Sequence, residues 1–474
     1  MKNVKKLLGL IIVLALIITP FTAFAANITI DDGGSEDAVY SAYKLMSAEN
    51  DGDAIIYTVN PKYSEALKTT SGQASDDEVI KYISGLNDVQ LREFADKVFL
   101  AIKDEAADYT SQDKKFENVD KGYYLIAETT VGSDKNGGEA TLVILNTAKD
   151  EDLTVKTKES TVTVEKKVKD QKPAETEATW KDGAAYNIND DVPFKLTGTL
   201  SENIGSYKTY KYEFQDELSS GLSFNEGSVK VTIDGTEITG GYNVTHNAGK
   251  LNITFENLKA VTPTVELTKD SKVVVEYTAK LNDQAVIGEA GNPNKVKLVF
   301  SNNPYGDGEG ETPEDKVIVF TFQLDVNKVD GKNNPLEGAG FTLYRVTDQG
   351  EVKVGEEIKG GTTFNFKGLD EGKYIIKETT VPTGYNKAED LEFTVSAVYD
   401  EEAADPKLKE LIVDPADSIS VKLSEGKLST NFVNMAGEEL PSTGGVGRTL
   451  IYVLGTIFVV FAGVQLVVRK KINK

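Results

Sequence analysis

Short runs in which apolar and polar residues alternate fill most of the chain between residues 26 and 438. Residues 229–233 and 272–277 are examples, rich in Val, Thr, Ile and Tyr, and clusters of Gly, Asn and Asp separate such runs. A period of two is typical of strands with one buried face, and strands at this spacing favour β-sandwiches. We therefore predict a mostly β fold of tandem immunoglobulin-like sandwich domains.

One segment has the spacing of helices instead. Between residues 77 and 105, apolar side chains recur at intervals near three and four residues, as on one face of an α-helix. The run Gly85-Leu86-Asn87 interrupts this pattern. We predict two helices, broken near that run and packed on the first domain.

The N-terminal residues match a secretory signal. Lysines precede an apolar stretch at residues 7–18, and a small-x-small sequence ends at Ala25. Such a segment is typical of an exported protein and is removed during export. We predict a signal peptide over residues 1–25, with cleavage after Ala25.

Residues 439–474 combine a pentapeptide, an apolar span and a basic tail. Residues 450–468 are long and apolar enough to cross a bilayer, and cations follow them. The pentapeptide is Leu440, Pro441, Ser442, Thr443 and Gly444. This order resembles the LPxTG cell-wall sorting signal of Gram-positive surface proteins, with an ordinary single-pass anchor as the alternative. The resemblance implies that a sortase cleaves between Thr443 and Gly444 and attaches Thr443 covalently.

Composition narrows the classes of function. The chain has 474 residues, a formal net charge of −23, one histidine and no cysteine. The mature part fits roughly three domains, and its negative charge disfavours nucleic acid as a partner. There is no Cys–His pair and no zinc motif, so we predict neither an enzyme nor a metal site nor a cofactor. An exported chain without disulfides must gain durability from other chemistry.

Internal repeats divide the mature chain. The sequence of residues 122–130, GYYLIAETT, returns as GKYIIKETT at residues 372–380, and two looser pairs accompany it. Repeats of this kind imply related domains. We place the three domains near residues 26–160, 161–313 and 314–438.

Three stretches of the last domain carry a more specific resemblance: residues 324–330, 335–341 and 374–385. They are similar to the Cna protein B-type (SpaA-like) domain, and the middle domain is similar to the fimbrial isopeptide-forming D2-type domain. Nearly all of the mature chain thus resembles a backbone (major) pilin of a sortase-assembled Gram-positive pilus. In that family an amide forms within a domain between a lysine and an asparagine, assisted by a buried Glu or Asp.

The chemistry of such a bond follows from burial. Burial disfavours charge, so it lowers the pKa of a lysine and raises that of a carboxyl group. The neutral acid polarises the asparagine carbonyl, the neutral amine attacks it, and ammonia leaves. The bond would tie the ends of a domain together as a disulfide closes a long loop. The chain would modify itself once per domain, without turnover.

The family triad can be assigned twice. The two predicted sets are Lys166, Asp216 and Asn302 in the middle domain, and Lys328, Glu378 and Asn434 in the last domain. The acid follows the lysine by 50 positions in both. Alternation sends either Lys166 or its neighbour Lys167 outward, and the second set favours Lys166. For Asp216 and Asn302, ordinary turn positions are the alternative.

The first domain departs from this pattern. It has Glu128 and Asn146, but its first strand carries no lysine. Lys44 aligns with Arg345 of the last domain, on a later strand. We predict no amide cross-link here, with Glu128 either a relic or a partner of a backbone amide.

A pilus also needs an acceptor amine on the next subunit. In the family this is a lysine at the end of the first domain, often within Tyr-Pro-Lys. Residues 153–159 occupy that place without the aromatic residue or the proline. We choose Lys158 as the acceptor and Lys156 as second, with an ordinary exposed linker lysine as the alternative.

The resemblance implies a structural subunit of a covalently polymerised pilus that is secreted, anchored to the cell wall and supports adhesion. The implied partners are sortase, other copies of this chain, companion pilins and peptidoglycan, with a host receptor as a further candidate. A wall-anchored adhesin that does not polymerise is the first alternative. A surface enzyme is the second.

Overall fold

The computed structural model describes residues 26–31, 37–51, 54–111, 113–132, 138–149, 151–156, 161–170, 177–400 and 405–437. The predicted signal peptide, the sorting signal with the span at 450–468, and Lys158 lie outside the described residues. Within the described ranges, no helix is long and apolar enough to cross a membrane.

The first domain combines two sheets with three helices among its described residues. Its elements are β1 (Ala26–Asp31), β2 (Val39–Asp51), β3 (Ala54–Val59), α1 (Ser64–Ser71), α2 (Asp76–Ser84), α3 (Asp88–Ile102), β4 (Tyr109–Ser111), β5 (Lys115–Val119), β6 (Gly122–Thr130), β7 (Leu142–Asn146) and β8 (Leu153–Lys156). One sheet has the order β5-β1-β8, and the other has the order β3-β2-β6-β7 with β4 on β2.

The predicted break between two helices is confirmed, and a capping box starts the helix on each side of it, α2 at Ser75 and α3 at Asn87. Ser75 accepts the N–H of Glu78 at 3.3 Å, and the Glu78 carboxylate accepts the Ser75 N–H at 3.1 Å. Asn87 and Gln90 repeat this exchange at the start of α3, at 2.9 and 3.1 Å. Such reciprocal bonds satisfy N–H groups that a helix start leaves free. The sequence pattern did not predict α1.

The middle domain is a sandwich of two sheets. Its strands are β9 (Val164–Asp170), β10 (Thr179–Lys181), β11 (Gly183–Ala185), β12 (Asp191–Thr199), β13 (Tyr212–Leu218), β14 (Leu222–Phe224), β15 (Lys230–Ile233), β16 (Thr236–Ile238), β17 (Asn243–Asn247), β18 (Lys250–Phe255), β19 (Lys272–Leu281), β20 (Asn292–Ser301), β21 (Glu309–Glu311) and β22 (Asp315–Phe320). One sheet runs β10-β9-β12-β19-β15-β16 with β14 on β19, and the other runs β11-β22-β20-β13-β18-β17 with β21 on β20.

The boundary between the middle and last domains lies later than the predicted position at 313/314. Strand β22 pairs with β20 and with β11, so its backbone belongs to the middle sandwich. The next strand starts at Phe322 and belongs to the last domain. The boundary therefore falls at Thr321.

The last domain is a second sandwich. Its strands are β23 (Phe322–Asp330), β24 (Gly340–Thr347), β25 (Gly350–Lys359), β26 (Thr363–Leu369), β27 (Gly372–Thr380), β28 (Leu391–Asp400), β29 (Lys407–Asp414), β30 (Ser420–Lys422) and β31 (Lys427–Asn434). Its sheets run β26-β23-β31-β30 and β25-β24-β27-β28-β29. The first strand, β23, and the last strand, β31, are parallel neighbours. The prediction of a mostly β fold with tandem sandwich domains is thus confirmed.

Polar and aromatic contacts join the first domain to the middle domain. The hydroxyls of Tyr305 and Ser206 donate to Asp96 of α3 at 2.6 and 3.0 Å. The Tyr305 ring also meets Phe99 edge to face, with centroids 4.8 Å apart. Tyr305 therefore reaches from the middle domain into the core of the first.

The middle and last domains are packed as closely. Phe320 stacks on Tyr399 with centroids 5.2 Å apart, and the Ile188 N–H donates to the carbonyl of Gly368 at 3.1 Å. Gly368 has a φ of +76°, and a Cβ there would lie 2.6 Å from the Ile188 side chain. A side chain at Gly368 would therefore disturb both the backbone and this junction.

Candidate functional site: buried clusters of lysine, acid and asparagine

In the last domain, three strands bring the predicted residues to one place. Lys328 on β23 is in register with Phe432 on β31, two residues before Asn434. Glu378 enters from β27 of the facing sheet. Lys328 and Asn434 are completely buried, and Glu378 is 1% exposed. The structure thus gathers the predicted set of the last domain inside its sandwich.

The contacts of this cluster are specific. The Lys328 amine donates to the carbonyls of Val329 and Phe432, both at 2.9 Å. The Asn434 amide nitrogen donates to Oε1 of Glu378 at 2.8 Å, and Ala388 donates its N–H to Oε2 at 2.9 Å. The nitrogen of Asn434 therefore faces the acid, whereas we expected its carbonyl oxygen there. That oxygen is buried and makes no hydrogen bond within the described part of the chain.

Electrostatics favour a reactive amine at Lys328. Burial lowers the pKa of Lys328, against the opposing effect of the Glu378 and Asp330 carboxylates. A lysine with a lowered pKa spends more of its time as the neutral, nucleophilic amine. The cluster therefore holds an amine, an amide and a carboxyl group together in the buried interior of the domain, as amide exchange requires.

In the middle domain, Lys166 and Asp216 are brought together as predicted. Lys166 on β9 faces the core while Lys167 turns outward to Asp182. The Lys166 amine contacts Oδ2 of Asp216 and donates to the Tyr277 hydroxyl at 3.0 Å. Burial lowers the pKa of Lys166 and raises that of Asp216. Both side chains are therefore driven toward their neutral forms.

The structure does not bring Asn302 to this cluster, and Asn294 takes its place. Asn294 on β20 is completely buried, and its amide nitrogen donates to the Tyr277 hydroxyl at 2.7 Å. Asn302 follows eight positions later, roughly 26 Å along an extended strand. Asn302 lies beside the first domain, where its backbone carbonyl accepts the Ala140 N–H at 2.8 Å. Asn302 is therefore corrected to Asn294.

The two clusters differ in layout. In the middle domain, Lys166 and Tyr277 come from one sheet, whereas Asp216 and Asn294 come from the other. A Lys166–Asn294 bond would therefore cross the sandwich. In the last domain, the lysine and the asparagine lie on neighbouring strands of one sheet, and only the acid faces them from the other.

Sequence reasoning missed Asn294 and Tyr277, although a signal for Asn294 exists. On β20 the inward positions are Asn292, Asn294, Val296, Leu298 and Phe300. An asparagine in register with such an inward run is a buried amide that needs a partner. Tyr277 lies on the same inward face of β19 as Val273 and Val275, so the sequence pattern does not distinguish it from an ordinary core aromatic residue.

The first domain shows the departure that its sequence indicates. The Lys44 amine pairs with Asp120 at 3.1 Å, just as Arg345 pairs with Asp370 at 2.9 Å, which supports the alignment of the two cations. The backbone N–H of Thr141 donates to Glu128 at 3.0 Å. The expectation that Glu128 binds a backbone amide is confirmed.

Asn146 of the first domain lies at an exposed strand end. Its amide nitrogen contacts the Tyr57 hydroxyl, and its oxygen accepts the Ala148 N–H at 2.9 Å. Asn146 therefore serves the turn after β7. That no amide cross-link forms in this domain stays a prediction.

Of the two candidate acceptor lysines, Lys156 is described. It is exposed at the end of β8, beside Asp31 of β1. It borders a cleft of about 320 Å³ that lies between the first and middle domains, with Arg92 and Asn203 also in its walls. Within the described ranges, no group of His, Cys, Asp and Glu could hold a metal ion.

The described residues define a modular chain of β domains, two of which bury a lysine beside an acid and an asparagine. A family model, the SpaA prealbumin-like fold domain, matches residues 322–406. The trypsin-resistant surface T6 protein of Streptococcus pyogenes serotype M6 is 26% identical over 377 residues, covering 58% of this chain and 68% of that protein.

Solved structures share the fold over most of the chain. The three-domain T6 backbone pilin of serotype M6 S. pyogenes has a TM-score of 0.54 at 19% identity, covering 87% of this chain and 98% of its own. The full-length major pilin SpaD of Corynebacterium diphtheriae has a TM-score of 0.50 at 18% identity, with the same coverage. This chain is therefore similar in sequence to the T6 protein and similar in fold to backbone pilins of Gram-positive bacteria, which confirms the resemblance drawn from the sequence.

Proposed function

We propose that this chain is the structural subunit of a covalently polymerised surface pilus that is stiffened by two internal Lys–Asn amide bonds. The observation that carries the proposal is the burial of two lysines, each grouped with an acid and an asparagine, in a chain related to backbone pilins. The chain acts on itself once per bond and is otherwise a substrate of sortase, not an enzyme.

In the last domain the bond joins Lys328 to Asn434. The neutral amine of Lys328 attacks the side-chain carbonyl of Asn434, and Glu378 carries a proton to the departing nitrogen, which it contacts at 2.8 Å. A half-turn of the amide would instead set its oxygen against the carboxyl group of Glu378, the arrangement in which a carboxylic acid polarises a carbonyl. Positioning alone can supply on the order of 7–11 kcal/mol of the barrier reduction.

In the middle domain the bond joins Lys166 to Asn294, with Asp216 as the assisting acid. The Lys166 amine and the Asn294 amide nitrogen both donate to the hydroxyl of Tyr277, so both lie within hydrogen-bond distance of one oxygen atom. Condensation would replace a buried amine and a buried amide by one amide. This removes the cost of keeping two polar groups in the core without full partners.

The subunits are joined end to end by sortase. Thr443 becomes the donor after cleavage before Gly444, and the acceptor is an amine at the end of the first domain. Lys158 is the choice from the family motif. Lys156 gains support from its exposure and from the adjoining cleft, which could receive an extended donor tail. The last subunit would be joined to peptidoglycan, and the fibre would support adhesion with companion pilins.

Mass spectrometry of the purified chain tests the internal bonds. We expect a mass lower by two ammonia molecules, with cross-linked peptides that contain Lys166 with Asn294 and Lys328 with Asn434. Asn294→Ala should abolish the first peptide only. Asn302→Ala is the matched control and should leave both in place; loss of the first peptide in this control would restore Asn302 to the site.

Gel electrophoresis in denaturant tests polymerisation. We expect a ladder of high-mass species from the wild type in a host that has its sortase, and loss of the ladder when the acceptor is replaced. Lys156→Arg and Lys158→Arg keep the charge but remove the primary amine, so the variant without a ladder identifies the acceptor. A wild type without any ladder would leave the non-polymerising adhesin as the function.

A further inference from the structure

We propose that the Tyr277 hydroxyl is a catalytic group of the middle domain, which carries a proton between Asp216 and the departing nitrogen of Asn294. The inference rests on the proposed Lys166–Asn294 bond. It adds to the lysine, acid and asparagine a fourth residue that touches the reacting atoms.

The hydroxyl lies at the centre of the cluster. It accepts from the Lys166 amine at 3.0 Å and from the Asn294 amide nitrogen at 2.7 Å, and it donates to Oδ1 of Asp216 at 2.9 Å. One oxygen atom therefore contacts the nucleophile, the leaving group and the acid. Among the described hydrogen bonds, Asp216 reaches Asn294 only through this hydroxyl.

The last domain shows why the middle domain needs such a bridge. There, Glu378 contacts the amide nitrogen of Asn434 directly at 2.8 Å. Asp216 lies on the strand next to that of Asn294, and among the described hydrogen bonds its carboxyl group makes none to the Asn294 amide. The hydroxyl of Tyr277 occupies the remaining gap.

The ring of Tyr277 is held firmly enough for this role. It stacks on Phe194 with centroids 5.4 Å apart and meets Phe224 at 5.9 Å. Burial and the nearby Asp216 raise the pKa of Tyr277 well above its ordinary value. The phenol therefore stays protonated and can both give and take a proton.

The proton transfers balance without any further reagent. The amine attacks Cγ of Asn294, and its surplus proton passes to Oδ2 of Asp216. To carry a proton, the Tyr277 hydroxyl turns from Oδ1 of Asp216 toward the departing nitrogen and gives that nitrogen its proton, while the phenol oxygen takes the proton on Oδ1 of the neutral acid. The C–N bond of the asparagine amide breaks, and ammonia leaves. Asp216 and Tyr277 end in their starting protonation states.

A time course of bond formation tests the relay. Full chains are made by cell-free synthesis and quenched in denaturant, and the peptide that joins Lys166 to Asn294 is quantified by mass spectrometry. For Tyr277→Phe we expect bond formation slower by about 100-fold or more, the usual range for a lost acid–base group. The last-domain bond should form at the wild-type rate.

Two further variants separate chemistry from packing. Tyr212→Phe is the matched control, since among the described hydrogen bonds its buried hydroxyl contacts the Thr199 carbonyl alone, at 2.7 Å. This variant should form the Lys166–Asn294 bond normally. Asp216→Glu combined with Tyr277→Phe should regain the bond, because the longer acid reaches the amide without the phenol. This rescue decides the case even where Tyr277→Phe alone folds poorly.

The outcomes are distinct. A wild type without the middle-domain peptide would overturn the proposed bond itself. A wild type and a Tyr277→Phe variant that form it equally fast would overturn only the relay. A folded double variant that stays unbonded would also overturn the relay, since the phenol would then be needed for something other than bridging a short acid.

Discussion

Replacing Glu378 with glutamine tests the last-domain bond with almost no change of shape. The carboxylate accepts the amide nitrogen of Asn434 at 2.8 Å and the N–H of Ala388 at 2.9 Å. Glutamine keeps an acceptor for Ala388, and its amide pairs with the Asn434 oxygen once that side chain makes a half-turn. It cannot carry a proton. We therefore expect a folded last domain in which the Lys328–Asn434 bond does not form, so that no ammonia is lost from it.

The size of the stability loss follows from the loop that the bond closes. Lys328 and Asn434 lie near the ends of parallel neighbouring strands, with almost the whole domain between them. In the chain-entropy model, a cross-link that closes roughly 100 residues stabilises the fold by about 4.7 kcal/mol. At about 4–8 °C per kcal/mol, Glu378→Gln should lower the Tm of the last domain by roughly 20–40 °C.

Intact mass and calorimetry on the same sample check both parts of this prediction. Glu371→Gln is the matched control, because Glu371 is also a buried glutamate whose Oε2 accepts a backbone N–H, from Ala397 at 2.9 Å. It should lose ammonia as the wild type does. If Glu378→Gln also loses ammonia in full, the acid has no role. If it keeps the ammonia yet melts like the wild type, the loop-closure argument fails.

Three other predictions concern pH, the interdomain joint and force. Burial, against the opposing effect of Arg345, raises the pKa of Asp370 to about 7. The stabilisation that results is complete below about pH 4 and is lost as pH rises toward 7. Asp370→Asn should therefore weaken the fall of Tm between about pH 4 and 7 in thermal melts. Tyr305→Phe removes the hydrogen bond to Asp96 and should cost about 1–3 kcal/mol, detected as faster proteolysis at the first joint with both internal bonds intact. Under single-molecule stretching, Glu378→Gln should release about 350 Å from residues 329–433 that the wild type withholds.

Alternation and capping carry most of the fold. The period of two places Lys328, Glu378 and Asn434 on inward faces, and the repeat between the first and last domains marks the strand that carries the acid. The helix break is predictable because Gly85 and Asn87 are local signals. These features need no knowledge of which strands are neighbours.

The choice between Asn294 and Asn302 depends on register, which alternation cannot supply. Both lie on the same inward face of β20 or its continuation, since their positions differ by eight, an even number. Only pairing decides between them: Asp216 on β13 lies opposite Val296, next to Asn294 on that face. The late domain boundary has a similar cause. Strand β22 is an apolar run buried on both faces, so it lacks the alternation that would assign it to one domain.

The two bonds together would define a short path for tension through the subunit. Force entering the middle domain along β9 would cross from Lys166 to Asn294, and the sandwich between them would carry none of it. It would continue through β20 and β22 into β23, then cross from Lys328 to Asn434. The unprotected part of the path therefore includes β22, whose ring of Phe320 stacks on Tyr399 at the junction of the two domains. A fibre built this way depends on that junction, and on the joint at Tyr305, for any yielding it shows under load.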